Sequence, residues 1–350
     1  MNVEGSIFFT ITCKKRMAIN DPLYYINGVL QKDKRVMAKA ITLVESALPL
    51  HQETARNVIN ALLPHAGRAI RLGISGVPGV GKSTFIESLG TLLVNKGHHV
   101  AVLAVDPSSQ RSGGSVLADK TRMEKLSTAT HAFIRPSPSG GTLGGVARKT
   151  RETMIICESA GYDVVIVETV GVGQSETTVA SMVDFFLLLL IAGAGDEIQG
   201  IKKGVLEVAD AIAVNKADGD NIARAEFARK QYETALHYLM PSSPVWTPKV
   251  LTCSSLDSDD KGLREIWRTV LDHRERFMEN GLLEKKRRGQ ALDWMWALVE
   301  EGLKRQFQQN RAVMERLPGI TKDVNDGKLA PTVAAEKLLF SLDNVHTVSP

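Results

Sequence analysis

The run Gly76-Val77-Pro78-Gly79-Val80-Gly81-Lys82-Ser83 places two glycines, a lysine and a hydroxyl at the spacing G-x-x-x-x-G-K-[ST]. Residues of these types at this spacing can cradle a polyphosphate. Glycines let consecutive backbone N–H groups turn toward phosphate oxygens, and a helix starting there adds its positive dipole end. Lys82 is expected to reach the β- and γ-phosphates and the Ser83 hydroxyl to bind Mg²⁺, with Thr84 in the same phosphate-binding run. The apolar stretch Ile70–Ile74 leads into the motif as a strand, and Thr84–Val94 leads out of it as a helix.

A second motif addresses the base. Ala211–Val214 reads as a strand, and Asn215-Lys216-Ala217-Asp218 follows it in the N-K-x-D pattern of GTPases. A carboxylate at Asp218 can accept from guanine N1–H and N2–H₂. Adenine has no such donor pair and would leave the carboxylate unpaired. Further on, Thr252-Cys253-Ser254-Ser255-Leu256 ends another strand, where a loop can close its backbone over guanine. Ser254, Ser255 and Leu256 therefore join Asn215, Lys216 and Asp218 as expected guanine contacts.

Acidic residues at strand ends are the candidates for the metal. Asp163–Val167 is an apolar strand ending at Glu168, and Thr169-Val170-Gly171 completes a D-x-x-G-like turn with Glu168 in the place of the aspartate. Glu168 would lie near Mg²⁺, and the Gly171 N–H could sense the γ-phosphate. Asp106 ends the preceding strand and Asp119 lies in the polar segment after it; each reads either as a metal-site acid or as a helix cap. After Gly171, where many regulatory GTPases carry a water-orienting glutamine, this chain has Val172, and Gln174 comes two positions later. Slow intrinsic hydrolysis is expected, with a partner protein or second subunit completing the site.

Around these motifs, solid apolar runs at Ile70–Ile74, His99–Val105, Asp163–Val167, Phe185–Ile191, Ala211–Val214 and Val250–Thr252 alternate with amphipathic stretches. Such runs suit strands buried on both faces of a parallel sheet with helical crossovers. The fold class expected is α/β, a P-loop NTPase with a mostly parallel central sheet flanked by helices and with helical extensions at both ends. The boundaries read as 1–66 for an N-terminal extension and helical arm, 67–272 for the nucleotide domain, and 273–350 for a C-terminal helical dimerisation arm. In that arm Leu292, Met295, Trp296, Val299 and Leu303 share one stripe that is core or dimer interface.

Composition excludes other classes. The 350 residues are 43% hydrophobic and 23% charged, with 43 basic against 39 acidic side chains, an ordinary globular balance with no pull toward nucleic acid. Three scattered cysteines read as free thiols in a reducing compartment, and 8 histidines without ligand spacing argue against a zinc, nickel or iron site. The longest apolar run, Phe185–Ala194, is far too short to cross a bilayer. Apolar residues 6–13 precede Lys14, Lys15 and Arg16 rather than following them, which is the reverse of a signal peptide. Residues 1–16 are expected to be an unstructured extension or a mis-assigned start, and the location cytoplasmic.

Taken together, the runs Gly76–Thr84, Ala101–Ser109, Gly113–Ser115, Asp119–Met123, Phe133–Ser137, Gly140–Val146, Asp163–Glu176, Gly193–Gly204 and Asn215–Asp218 strongly resemble the methylmalonyl-CoA mutase-associated GTPases of the MeaB/ArgK type. The likeness extends over about residues 35–300 and rests above all on E-T-V-G-V-G-Q-S-E and G-A-G-D-E-x-Q-G-I-K-K-G. It implies a homodimeric GTPase using GTP/GDP and Mg²⁺, acting as chaperone of an adenosylcobalamin-dependent acyl-CoA mutase. Such chaperones gate cofactor delivery from the adenosyltransferase and protect the mutase from inactivation, with no cobalamin site of their own expected here. By position, Ser83, Asp106, Asp119 and Glu168 match the family's metal-coordinating residues. Gly193–Lys202 matches its mobile third switch, in which Asp196 and Lys202 couple partner binding to hydrolysis. Ser112 and Ser255 depart from the commoner family residues; at 255 a small apolar residue is usual, and the change reads as mild because backbone groups make that contact.

Two other readings remain at this point. One is a GTP-dependent nickel or zinc insertion chaperone of the same branch, disfavoured by the lack of His-rich tracts and C-x-x-C. The other is a nucleotide-dependent kinase linked to amino-acid transport, which Asn215–Asp218 argues against.

Overall fold

The computed structural model describes residues 21–105, 123–136, 143–169, 175–193, 203–237, 243–256 and 261–343. Among the described residues seven strands form one sheet: β1 (Ile70–Gly76), β2 (Val100–Val105), β3 (Ala132–Arg135), β4 (Val164–Thr169), β5 (Phe185–Ile191), β6 (Ala211–Asn215) and β7 (Lys249–Thr252). Their spatial order is β3-β2-β4-β1-β5-β6-β7, and every neighbouring pair is parallel. The expected mostly parallel sheet is thus wholly parallel. β1 lies between β4 and β5, where the chain reverses its direction of travel across the sheet. Open α/β sheets bind ligands beyond the carboxyl ends of strands at such a switch point.

The apolar runs are continuous because both faces of the sheet are covered. In β5, Phe186, Leu188 and Leu190 enter one core while Phe185, Leu187 and Leu189 enter the other; β4 divides Val165 and Val167 from Val164 and Ile166 in the same way. The first face also receives α1 (Pro22–Leu30), α2 (Lys34–Glu45), α3 (Pro49–Leu62) and α6 (Leu143–Ser159). The second is covered by α4 (Lys82–Asn95) and α10 (Lys261–Glu279), whose Leu263, Ile266, Trp267 and Val270 are all buried. Shorter helices α5 (Glu124–Thr128), α7 (Ser175–Ala180) and α8 (Lys203–Val208), with the longer α9 (Ile222–His237), complete the crossovers.

Residues 22–65 show helical periodicity throughout, yet the chain breaks them into three helices. Lys32 takes a left-handed backbone (φ 62°), and Asp33 then caps α2 by accepting from the Arg35 and Val36 N–H groups at 2.8 and 3.2 Å. Pro49, at the first turn of α3, sets the second break. The one strand without an apolar-run signal is β3, four residues at the sheet edge ending in Arg135. At the other boundary, α10 runs unbroken through Asp272.

At the amino end of β5, Asp184 is buried and accepts from the Arg71 N–H at 2.9 Å and from the Arg287 guanidinium at 2.8 and 2.6 Å. Burial alone would raise its carboxyl, but Arg287 and Arg71 together hold it below the ordinary carboxylate value. Arg71 also meets the buried Glu158 at 2.6 Å.

The chain forms two compact units that divide between Arg287 and Arg288, inside α11 (Leu282–Gln309). The second unit contains the rest of α11, α12 (Arg311–Asn325) and α13 (Pro331–Asp343). Asn310 caps α12 through the Val313 N–H at 3.2 Å, and Arg316 donates to the Ser341 hydroxyl at 3.2 Å. Leu292, Met295, Trp296, Val299 and Leu303 are exposed on α11, so the stripe is not core of its own unit.

Candidate nucleotide-binding site

β1 delivers the chain into Gly76–Gly81, and α4 starts at Lys82. Gly79 (φ 81°) and Gly81 (φ 93°) both adopt the left-handed backbone that side-chain-bearing residues resist. At Gly76 a Cβ would collide with the Leu189 carbonyl oxygen of β5. Three glycines thus let the loop turn tightly over the sheet end, and the turn is closed by the Val80 N–H donating to the Val77 carbonyl at 3.2 Å.

Lys82 is buried, and its ammonium donates to the Gly76 carbonyl at 2.7 Å and the Val77 carbonyl at 3.3 Å. Burial pulls its pKa down, while the carboxylates of Glu168 and Glu176 push it back up. Ser83, next along the helix, donates its hydroxyl to Glu168 Oε1 at 3.3 Å, across from the end of β4. A Ser75–Thr169 hydroxyl contact of 2.7 Å ties the ends of β1 and β4 together beneath them.

The base motif meets the same loop. Asn215 ends β6 and is almost wholly buried; its Nδ2 donates to the Val80 carbonyl at 2.9 Å. Lys216, left-handed at φ 59°, donates to the Gly79 carbonyl at 2.9 Å. Asp218 accepts from the Ser254 hydroxyl, and Ser254 Oγ in turn accepts from the Leu256 N–H at 3.2 Å. The Ser255 hydroxyl donates to Asn215 Oδ1 at 3.0 Å. The Ala217 N–H donates to the Cys253 carbonyl at 3.0 Å, joining the two base loops by their backbones. Leu256 is exposed, as is a large part of Val77, and Pro78 and Thr84 complete the phosphate loop and the first turn of α4. Burial drives the Cys253 thiol up to about 12, so it is an inert core group.

The fold therefore brings Lys82, Ser83 and Glu168 together at one end of the loop and Asn215, Lys216, Asp218, Ser254 and Ser255 at the other. Asp106, Asp119, Gly171, Gln174, Asp196 and Lys202 lie outside the described residues. Among the described residues no group of three or more His, Cys, Asp or Glu side chains forms a metal site.

Two residues of the site, Ser88 and Gly262, carry no motif signal, and Glu176 closes the E-T-V-G-V-G-Q-S-E run without having been given a role. The Ser88 hydroxyl of α4 donates to the Ser255 carbonyl at 2.7 Å and so holds the second base loop to the phosphate-loop helix. Gly262, in the first turn of α10, allows that helix to approach the same loop; a Cβ there would sit 2.8 Å from Cys253 Cα and from the Thr252 carbonyl oxygen. Glu176 is buried beside Lys82 in the first turn of α7, and its Oε2 has no hydrogen-bond partner among the described residues.

Comparison with known proteins agrees with this geometry. Residues 37–312 match the family described as methylmalonyl Co-A mutase-associated GTPase MeaB. The chain belongs to this family. GTPase ArgK of Escherichia coli is 51% identical over 276 residues, 79% of this chain and 83% of that protein. The mitochondrial methylmalonic aciduria type A homolog of Mus musculus is 43% identical over 342 residues, 95% of this chain and 81% of that protein. A crystal structure of a LAO/AO transport system kinase superposes with a TM-score of 0.75 at 41% identity, covering 92% of this chain and 97% of the other. As a member of the MeaB family, the chain has the P-loop GTPase fold. No helix among its described residues is long and apolar enough to cross a membrane.

Proposed function

We propose that this chain is a GTP-hydrolysing chaperone of an adenosylcobalamin-dependent acyl-CoA mutase, methylmalonyl-CoA mutase being the first candidate. It gates loading of the cofactor, received from an adenosyltransferase, and protects the loaded mutase from inactivation. The observation that carries the reading is the coupling of a guanine-type base motif to a complete phosphate loop, through Asn215 to Val80 and Lys216 to Gly79, in a member of the MeaB family.

In this reading the N–H groups of Gly79 to Thr84 hold the β- and γ-phosphates, with the positive end of α4 behind them. Lys82 exchanges its carbonyl partners for phosphate oxygens and neutralises charge that builds on the γ-phosphoryl group. Asp218, oriented by Ser254, accepts from the guanine N–H groups. Mg²⁺ fits the donor set: adjacent ligands 2.0–2.1 Å from an octahedral ion lie about 2.9 Å apart, close to the 3.3 Å between the Ser83 and Glu168 oxygens. Ser83 and Glu168 would hold it, and it would offset the negative charge of the phosphates. Asp106 and Asp119 are proposed as the further acids, and Gly171, Gln174, Asp196 and Lys202 as the elements that respond to the γ-phosphate and to the partner.

Residues 273–350 are proposed as a dimerisation arm, with the exposed α11 stripe as its apolar contact. The kinase name of the 41% identical structure suggests a second reading, in which a nucleotide-driven kinase serves transport. The donor-accepting carboxylate at Asp218 favours guanine over adenine and weighs against it. Light scattering of the chain mixed with methylmalonyl-CoA mutase tests the proposal. A complex that forms with a non-hydrolysable GTP analogue or with GDP supports it, and no complex in any nucleotide state would overturn it.

A further inference from the structure

At position 255 the side chain, and not only the backbone, takes part in the base site. The Val80 carbonyl can only accept, so the Asn215 amide must turn its Nδ2 toward it, at 2.9 Å. Its Oδ1 then faces the second base loop, where it accepts from the Ser255 hydroxyl at 3.0 Å and from the Cys253 thiol at 3.6 Å. A thiol is a weak donor, which leaves Ser255 as the strong partner of a nearly fully buried carbonyl oxygen. Ser255 is itself held, because its own carbonyl accepts from Ser88 of α4 at 2.7 Å. One residue thus links the phosphate-loop helix to the base motif by its backbone and locks the base motif's amide by its side chain.

We propose that Ser255 is a positioning residue for base specificity, its hydroxyl pinning the Asn215 carboxamide so that the second Nδ2 hydrogen is presented to the N7/O6 acceptor edge of a 6-oxopurine nucleotide. The inference rests on the guanine-site reading above. A carboxamide that can turn over exchanges donor for acceptor, and an acceptor there would repel that edge. The Val80 carbonyl disfavours that orientation from one side of the carboxamide, and the Ser255 hydroxyl adds to the preference and fixes the angle of the amide from the other before the nucleotide arrives. Guanine and hypoxanthine share the N7/O6 edge, whereas only guanine has the N2–H₂ that Asp218 reads. Ser255 and Asp218 therefore separate in a comparison of GDP with IDP.

The test is equilibrium binding of GDP, IDP and ADP to the full chain and to its Ser255→Ala and Ser255→Thr variants, with melting temperatures as the folding control. Ser255→Ala is expected to weaken GDP and IDP by the same factor, about threefold to tenfold for the loss of one neutral hydrogen bond. The GDP/IDP ratio then stays constant, and Ser255→Thr, which keeps the hydroxyl, restores both affinities. Wild-type affinity in Ser255→Ala, a collapsed GDP/IDP ratio, or failure of Ser255→Thr to restore binding would each overturn the inference while leaving the guanine site standing. A wild-type chain that binds ADP as tightly as GDP would overturn the guanine reading and this inference with it.

Discussion

The Ser83 hydroxyl donates to Glu168 Oε1 at 3.3 Å, joining the first turn of the helix after the phosphate loop to the last residues of a strand 85 positions away in sequence. In the proposed site the two oxygens would take adjacent places on Mg²⁺, and neither element alone could supply them. Glu168→Gln keeps the size and one acceptor oxygen but removes the charge. It is expected to lower kcat for GTP by roughly 100-fold or more, on the scale of losing one electrostatic group aimed at a developing charge. Raising Mg²⁺ should recover part of the loss if metal affinity is what suffers. Steady-state hydrolysis across a Mg²⁺ titration measures both.

In the proposed guanine site Asp218 would present an acceptor where guanine offers donors. Asp218→Asn places an N–H there instead, opposed to guanine N2–H₂ and matched to the C2 carbonyl of xanthine. GDP affinity is expected to fall on the order of 100-fold, the cost of leaving buried donors opposed and a charge-assisted bond unmade, while XDP binding appears. Competition binding with the three diphosphates GDP, XDP and ADP decides it.

These two sites were legible in the sequence because each is a short local string whose chemistry needs fixed residue types. Gly76–Ser83 and Asn215–Asp218 sit where β1 and β6 end, and the runs feeding them read as strands because both sheet faces are buried. What escaped was non-local or short. Ser88 and Gly262 matter only because α4 and α10 meet the loop at Cys253–Ser255, contacts across 167 and about ten residues that no spacing announces. β3 has four residues and an arginine in its pattern, too little for periodicity to register. The break at Lys32–Asp33 was hidden because helical periodicity resumes in phase on its far side, with Val36 buried against Gly28.

The half-buried Arg287 and the buried Asp184 form an ion pair at the opposite end of the sheet from the nucleotide loop. Arg287→Met leaves the Asp184 carboxylate buried, with the Arg71 N–H and the charges of Arg71 and Arg274 as its remaining support. The expected loss is about 3–5 kcal/mol of stability near neutral pH, read from urea unfolding. Because the folded-state pKa of Asp184 lies below its ordinary value, the pair's contribution is complete above the unfolded-state value of about 3.9 and is lost as pH falls below it. The gap between wild type and Arg287→Met should therefore narrow on acidification.

Trp296 and Leu303 lie two turns apart on the exposed α11 stripe, at 60% exposure each. If that stripe is the dimer contact, Trp296→Glu with Leu303→Glu places like charges in an apolar interface and converts a dimer to a monomer. Light scattering at a few protein concentrations reads the mass, and circular dichroism confirms that the helices persist. An unchanged dimer would move the contact elsewhere.

GTP hydrolysis by this chain is proposed to serve a cobalamin-dependent mutase. The most direct measurement is the rate of GTP hydrolysis by purified protein with and without methylmalonyl-CoA mutase, with ATP as control nucleotide. The chain alone is expected to hydrolyse GTP slowly, the mutase to accelerate it with GTP, and ATP to show no acceleration. A GTP rate indifferent to the mutase, or equal turnover of ATP, would contradict that role.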